Sequence, residues 1–422
     1  MKIRTIAYNL IRDWDEHAEY PNLALKNALR TVGDERDKRF ISAIVYGVVE
    51  KKITLDHFIS QCSARPLNKI SPAILNALRM GIYQMFYLNI PESAACNTMV
   101  EIIKTNGFSH SSGFVNAVLR RCAREKDDLL LLKKTDYSVR FSIAPQIVDL
   151  LLEQYGKETF LKIIEGIETQ DHSIYLFHNH CKGTEKEFIS AMRNEGVELE
   201  TSEIPHLFKA SKGFSVEASA AYKSGRFHVI GVNSARAAAL APIDAKVILD
   251  LCAAPGGKTF VMAANTDAKI FSFDIHPHKV DLMKKTATRL GHNNVSFVSG
   301  DSSILNPKLI DSADFLLCDV PCSGLGIMGK KPDIKYKDYD SVSLRETQYK
   351  ILENGSQYLK KGCLLVYSTC TLDCRENEEQ VNRFLKEHPD FHLDKTVFKN
   401  GMETYLPDGS TDGFFIAALR KD

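Results

Sequence analysis

Three blocks of sequence pattern predict a multidomain chain: an all-α bundle in front, a small α+β connector, and an α/β domain behind. Residues 1 to about 130 keep helical spacing throughout. From about 137 to 225 helical and strand-like stretches mix. From about 235 short apolar runs alternate with helices, as in a parallel sheet covered on both faces. The chain has 422 residues, room for two or three domains. The expected division is 1–130, 137–230 and 235–422.

In the front block, Leu23-Ala24-Leu25 with Ala28-Leu29 gives one apolar stripe. Phe40, Ile41, Ile44, Val45 and Val48 give a second, and Ile74, Leu75, Leu78, Ile82, Met85 and Phe86 a third. Ser71-Pro72 supplies a cap and a first-turn proline, and Pro91 ends the helix before it. Val115 to Arg121 predicts a further helix with a basic last turn. Arg124 to Thr135, charged and then leucine-rich, reads as a helix or linker. In the connector, Pro145 to Tyr155 and Glu185 to Asn194 predict helices and Ser173 to Phe177 a strand. The last block predicts strands at Val247–Leu251, Ile270–Phe273, Val295–Val298, Phe315–Cys318 and Cys363–Tyr367, with Gly413–Leu419 as a final one. Helices fall at His278–Leu290, Leu344–Leu359 and Glu376–Lys386. No internal repeat or low-complexity segment interrupts this order.

Charged residues are 25% and hydrophobic ones 44%, as in a soluble globular protein. No apolar run is long enough to span a bilayer. Met1-Lys2-Ile3-Arg4-Thr5 lacks a signal-peptide pattern. Ten cysteines without a small-secreted-domain spacing point to reduced thiols in a cytosol. A cytoplasmic location is expected. Residues 1–136 hold 20 Lys+Arg against 15 Asp+Glu, leaving 34 against 38 of the chain's 54 and 53. A basic front fits a polyanion, and equally an ordinary solvated surface.

The chemistry gathers behind the predicted strands. Cys322 lies in Asp319-Val320-Pro321-Cys322-Ser323-Gly324, and Cys370 in Val366-Tyr367-Ser368-Thr369-Cys370-Thr371. Each follows an apolar run, so each belongs at a strand's carboxyl end, where open α/β sheets bind ligands. Upstream, Leu249 to Thr259 reads as a strand entering a small-residue loop. There Gly256 and Gly257 allow close backbone approach and the next helix offers free N–H groups. The spacing is neither that of a P-loop nor of the dinucleotide fingerprint. Asp274, ending the second strand, suits the hydroxyls of a ribose. Gly300-Asp301 and Asp319 add polar groups to the same edge.

A cofactor loop and two thiols at one edge suggest methyl transfer to carbon 5 of a pyrimidine. Carbon 5 is a poor nucleophile until a thiolate adds to carbon 6. A base must afterwards remove the carbon 5 hydrogen, a step the second thiol can help.

Plainer readings compete. Cys318-x3-Cys322 and Cys370-x3-Cys374 have zinc-like spacing, but Cys318 lies inside an apolar strand and Cys322 after a proline. Cys252, Cys318 and Cys363 read better as core fillers, and Cys374 as structural. His276 and His278 suit capping better than metal. Glu376 to Glu379 is most simply an acidic first helical turn. Lys330, Lys331, Lys335 and Lys337 suggest phosphate contacts at the mouth of the site. Exposing carbon 6 is easiest in single-stranded or looped RNA.

Together LDLCAAPGGKT (249–259), FDIH (273–276), GD (300–301), DVPCSGLG (319–326), KPDIK (331–335), YSTCTLDCRENEEQV (367–381) and DGFFIAAL (412–419) resemble a known family. It is the NOL/NOP2/Sun group of S-adenosylmethionine-dependent RNA 5-methylcytosine methyltransferases, and within it the RsmB (Sun/Fmu) branch. The front block resembles a NusB-like RNA-binding bundle, through RMGIYQMFYLNIP (79–91) and FVNAVLRR (114–121). The resemblance implies a Rossmann-like catalytic domain that methylates carbon 5 of a cytosine in small-subunit (16S) rRNA through a covalent cysteine–carbon 6 adduct. It implies Cys370 as nucleophile and Cys322 as the release thiol. DNA cytosine-5 methyltransferases use the Pro-Cys thiol as nucleophile, so the pair points to RNA. It implies S-adenosyl-L-methionine contacts at Cys252, Ala253, Ala254, Pro255, Gly256, Gly257, Lys258, Asp274, Asp301 and Asp319. Asp319 could also hold the cytosine amino group, and Lys258 the base or a phosphate. The expected partner is small-subunit rRNA, with no membrane, no metal and a monomeric chain.

One departure stands out: Ile230 and Gly231 occupy the places of the family's Gln-Asp pair. The departure supports one alternative, a non-catalytic RNA-binding or ribosome-assembly factor with a vestigial methyltransferase domain; the other alternative, a tRNA cytosine-5 methyltransferase, stays within enzymes.

Overall fold

The computed structural model describes residues 2–17, 21–171, 173–211, 213–337 and 341–422. Met1 and the side chain of Leu23 lie outside the described residues. Two compact units emerge, Met1–Leu150 with Lys331–Lys337, and Leu151–Lys330 with Asp338–Asp422.

The first unit is helical: α1 (Lys2–His17), α2 (Pro21–Leu29), α3 (Glu35–Glu50), α4 (Lys52–Cys62), α5 (Pro72–Phe86), α6 (Glu92–Thr105), α7 (Ser112–Arg124), α8 (Lys126–Leu130) and α9 (Tyr137–Phe141). The predicted stripes face inward: Ile41, Ile44, Val45, Val48, Ile74, Leu78 and Ile82 share one core with Met99 and Leu119. Gly47 is required there, because a Cβ would fall 1.8 Å from the Tyr83 ring. Arg79 is the polar node of this core. Its guanidinium donates twice to Asp56 (2.6 and 2.7 Å) and once to Asp15 (3.0 Å), the fork geometry that makes a buried arginine tolerable. Pro91 does not end α5, which stops at Phe86; it sits at the N-cap of α6. Ser71 does precede Pro72, but its side chain makes no cap hydrogen bond.

Lys331–Lys337, nine residues beyond Cys322 in the chain, belongs to this helical unit. Tyr336 donates to the Glu50 carbonyl (2.6 Å), accepts from the Lys52 amide (3.1 Å) and shares a hydrogen bond with Ser142 (2.8 Å). Lys335 is only 2% exposed and faces Glu50 at 3.7 Å. It is therefore unsuited to a phosphate contact, contrary to the reading of the lysine cluster. A long aliphatic stem can be buried when its ammonium finds a carboxylate.

The second unit begins in α10 (Pro145–Glu168), whose helical backbone breaks at Gly156 (φ 69°, ψ 168°). A four-stranded antiparallel sheet follows in the order β2-β3-β1-β4. It comprises β1 (Ile174–His178), β2 (Leu199–Thr201), β3 (Leu207–Ala210) and β4 (Phe227–Val229). Helix α11 (Glu185–Asn194) matches its predicted span and carries a full capping box from Thr184 and Glu187. Short α12 (Ala220–Lys223) and α13 (Val232–Ala238) complete the connector.

The larger sheet has the order β10-β12-β9-β8-β5-β6-β7, with β11 beside β12. Its strands are β5 (Val247–Asp250), β6 (Lys269–Asp274), β7 (Val295–Ser299), β8 (Ala313–Asp319), β9 (Leu359–Thr369), β10 (Phe391–Leu393), β11 (Met402–Tyr405) and β12 (Phe414–Lys421). β7, β6, β5, β8 and β9 run parallel, and β12 pairs antiparallel to β9. Helices α14 (Gly257–Asn265), α15 (Pro277–Leu290), α16 (Ser341–Tyr358) and α17 (Glu378–Glu387) accompany them. The pleat sorts side chains to two cores: Phe315 and Leu317 to one, Leu316 and Cys318 to the other. After β7 the chain returns to the far side of β5. The strand order thus reverses between β5 and β8, where such sheets bind ligands.

The second unit also buries several neutral histidines. His228 Nε2 lies 3.1 Å from the Gly257 carbonyl, which can only accept, so Nε2 carries the proton and buried Nδ1 stays bare. Burial depresses His228 to about 3, and His178 and His292 each to about 4. An imidazole depressed below its unfolded value near 6.5 stabilises the fold above that pH and loses the contribution as pH falls toward the folded value. Asp250, raised to about 7 by burial, acts in the opposite sense over the same window, but one carboxyl is outweighed by three imidazoles. Lowering the pH from 7 to 4 should cost on the order of 5 kcal/mol of stability. Thermal melts across that range test this, and an unchanged or rising Tm contradicts it.

Candidate active site

The loops after β5, β6, β7, β8 and β9 gather at the carboxyl edge of the sheet. The first, between β5 and α14, is stitched to its neighbours. The Leu251 amide donates to the Leu317 carbonyl (3.0 Å) and the Ala253 amide to the Phe273 carbonyl (2.8 Å). Gly256 caps α14 at φ 100°, a conformation that excludes side chains, and a Cβ there would press within 2.7 Å of the Phe260 ring. The first-turn amides of α14 have no carbonyl of the helix's own to bond. Cys252 itself points into the core, and burial pushes its thiol well above the ordinary range.

Asp274 ends β6 and is 8% exposed. It braces two loops, accepting from the His276 amide (2.9 Å) and the Ala254 amide (3.3 Å). Asp301 is exposed and closes its own turn through Ser303. Asp319, at the end of β8, joins three segments: it accepts from Lys258 Nζ (2.5 Å) and from the Ser368 hydroxyl (2.9 Å). Burial alone would lower the Lys258 ammonium, but the Asp319 carboxylate leaves it raised.

The two thiols meet. Cys322 Sγ lies 3.2 Å from Cys370 Sγ, both reduced, well beyond the roughly 2.05 Å of a disulfide. The Cys322 thiol is held well above its ordinary range by the hydrogen bond with Cys370, by burial, and by nearby Glu376. The loops bearing them are laced together. The Val320 amide donates to the Ser368 carbonyl (3.1 Å), the Gly326 amide to the Cys370 carbonyl (3.0 Å), and Ser323 and Thr371 share a hydroxyl bond (2.6 Å). Asn377 fastens the Cys370 loop, accepting from the Thr369 hydroxyl (2.6 Å) and donating to the Thr371 carbonyl (3.1 Å). Glu376 and Asn377 thus lie in a turn before α17, not in its first turn as predicted, because both side chains bind elsewhere.

Cys318 stays in the core and Cys374 hydrogen-bonds Tyr155 (3.8 Å). No group of three or more His, Cys, Asp or Glu among the described residues could hold a metal ion. Cys370 lines a small cavity of about 50 Å³. Its walls include Tyr175, Asn233, Ile327, Lys330, Asp412 and Phe414. Asp412 gathers this wall: its carboxylate accepts from Gln170 (2.6 Å) and Lys330 (2.5 Å), and its carbonyl from Asn233 (2.9 Å). Lys330, read from sequence as a phosphate contact, is thus already ion-paired here.

Sequence reasoning missed these partners, and also Asp250. That buried carboxylate accepts from Thr259 Oγ1 (2.6 Å) beneath the glycine loop. The departure at Ile230-Gly231 falls in the same region. A Cβ at Gly257 would touch Ile230 at 3.4 Å, so the apolar side chain rests on the glycine loop. Gly231 caps α13 and lines the cavity; a Cβ there would meet only Asp412, at 3.8 Å.

Residues 237–420 match the family model of the 16S rRNA methyltransferase RsmB/F, and residues 1–124 that of the NusB family. The chain is 33% identical to the probable ribosomal RNA small subunit methyltransferase B of Bacillus subtilis (strain 168), covering 99% of this chain and 98% of that one. It is 31% identical to the protein of the same description in Synechocystis sp., covering 99% of each. Among solved structures, PH0851 superposes with a TM-score of 0.82 at 24% identity over 99% of this chain and 98% of that one. NSun6 from Pyrococcus horikoshii with SFG gives 0.58 at 21% identity over 66% of this chain and 98% of that one.

Proposed function

Because this chain belongs to the ribosomal RNA small subunit methyltransferase B family, we propose that it methylates carbon 5 of a cytosine in 16S rRNA, through a covalent bond from Cys370 to carbon 6. The observation that carries this is the pair of reduced thiols 3.2 Å apart at the sheet's switch point, beside the Lys258–Asp319 pair. The three-part division into 1–130, 137–230 and 235–422 belongs to this reading, with the first part binding RNA. So does a cytoplasmic site of action, where ribosomes are made. No described helix is long and apolar enough to cross a membrane.

The residues fit S-adenosyl-L-methionine. The Gly257 and Lys258 amides open α14 outside the helix's own hydrogen-bond ladder and suit an anionic group, and Asp274 has lone pairs to spare for ribose hydroxyls. Ile275, 56% exposed beside it, offers an apolar surface for a purine. When bound, the cofactor supplies an electrophilic methyl group. The chain's own work is to bind, activate and release the base. Cys370 attacks from the cavity wall. The Lys258 ammonium faces this thiol electrostatically and favours its anion. Asp319 is an acceptor for the cytosine amino group, which would orient the ring. Cys322 assists removal of the carbon 5 hydrogen.

The test is nucleoside analysis of unmodified 16S rRNA after incubation with the protein and methyl-labelled S-adenosylmethionine. Label recovered as 5-methylcytidine supports the reading. Label at another atom or on another nucleoside, or no transfer at all, overturns it.

A further inference from the structure

The loop carrying Cys322 is gripped on both sides of that residue by two side chains buried beneath it. The Pro321 carbonyl accepts from Gln348 Nε2 (2.9 Å), and the Ser323 amide donates to Glu376 Oε2 (3.0 Å). Gln348 Nε2 also donates to Glu376 Oε2 (2.7 Å), so the two form one unit. Gln348 comes from α16 and Glu376 from the turn before α17. Both are fully buried, at 0% exposure. Gln380 reaches Gln348 Oε1 at 3.4 Å from the far side.

This arrangement is costly. Glu376 is withdrawn from water, and its Oε1 has no hydrogen-bond partner. Burial raises its carboxyl above the ordinary range. A dry carboxylate with an unpaired oxygen carries a desolvation cost that a wholly apolar network in its place would not. What the pair does achieve is fixation of the two peptide groups flanking one thiol. Asn377, the next residue, fixes the loop of the other thiol through Thr369 and Thr371. Two adjacent side chains thus moor the two reacting loops separately.

We propose that Glu376 and Gln348 are positioning residues for the release step: they hold Cys322 against Cys370 so that it can assist loss of the carbon 5 hydrogen from the adduct. The proposal rests on the covalent reading above and adds residues to it. Before attack the contact with Cys370 is the largest influence holding the proton on Cys322. Once Cys370 is bonded to carbon 6 that influence is gone, and Cys322 gives its proton to water. Its thiolate takes the carbon 5 proton while the electrons of that C–H bond re-form the carbon 5–carbon 6 double bond and Cys370 leaves as thiolate.

The experiment compares wild type with Cys322→Ala, Glu376→Ala, Gln348→Ala and Glu376→Gln. Each is incubated with 16S rRNA and S-adenosylmethionine, and single-turnover methyl transfer and denaturation-resistant RNA–protein adduct are followed separately. Glu376→Ala and Gln348→Ala should accumulate adduct as Cys322→Ala does. Adduct resolution should slow by roughly tenfold to a hundredfold, the cost of misplacing a reacting group by about an ångström. The methyl-transfer step should stay near the wild-type rate. Glu376→Gln keeps an oxygen that accepts from the Ser323 amide, and should restore most of the release. If Glu376→Ala fails to fold, Gln348→Ala carries the same expectation. Equal slowing of transfer and release, without adduct, means the pair serves folding alone and overturns the proposal. Absence of adduct from Cys322→Ala would instead remove the covalent reading, and the pair's role with it.

Discussion

Cys370→Ala is expected to abolish methyl transfer, by about 10⁴-fold or more, whereas Cys322→Ala should still transfer the methyl group and then remain bonded to its RNA. The two thiols differ in what surrounds them rather than in chemistry. Cys370 lines a cavity at the sheet edge and interacts electrostatically with the Lys258 ammonium. Cys322 is held protonated by its contact with Cys370, by burial and by Glu376. Cys370→Ala removes the first of these influences but not the others, so Cys322 should not substitute as nucleophile despite lying 3.2 Å away. Denaturing electrophoresis with labelled RNA reads both results. An adduct that persists in Cys370→Ala and vanishes in Cys322→Ala would reverse the roles, and methylation surviving in Cys370→Ala would exclude a thiol mechanism.

Much of this was legible in the sequence, for identifiable reasons. The run Phe315-Leu316-Leu317-Cys318 is buried on both faces, so it reads as a central strand without alternation, and its side chains do divide between two cores. The strand ends were harder. β9 begins at Leu359, four residues before the predicted Cys363, because Lys360 and Lys361 extend it into solvent where polarity carries no strand signal. β2, β3 and β4 span three or four residues each and depend on cross-strand partners, so no local pattern announces them. The thiol loops were legible because a cysteine after a strand is unusual chemistry at a known edge. The cavity wall was not: Tyr175 and Asn233 come from the connector, distant in sequence, and only the fold brings them beside Asp412, which Gln170 also holds. Lys335 was misread because a lysine's burial is decided by its partner, here Glu50 from far up the chain. Asp250 did leave a trace, as an acid within the apolar run Val247 to Leu251, where a charge is expensive unless it has work to do.

Asp319→Asn should lower kcat by about 10²–10³-fold, the range seen when a preorganised polar contact to a reacting group is lost. The same carboxylate holds Lys258 at 2.5 Å and accepts from Ser368 at 2.9 Å, tying the cofactor loop to the strand that leads into Cys370. An asparagine keeps the Ser368 bond but cannot balance an ammonium whose side chain is only 13% exposed. Lys258 would then be left over the Phe414 ring, 5.4 Å from its centre, with Asp250 as a remaining anion nearby. Stability should fall by about 2 kcal/mol, less than the 3–5 kcal/mol of a fully buried broken pair because Asp319 is 25% exposed. Lys258→Met removes the other partner while keeping the stem's volume. The double variant should therefore be no less stable than the worse single one, since neither charge is left unpaired. If the two single losses simply add in the double variant, the pair is not coupled. If Asp319→Asn keeps wild-type kcat, neither base orientation nor thiolate support runs through this carboxylate.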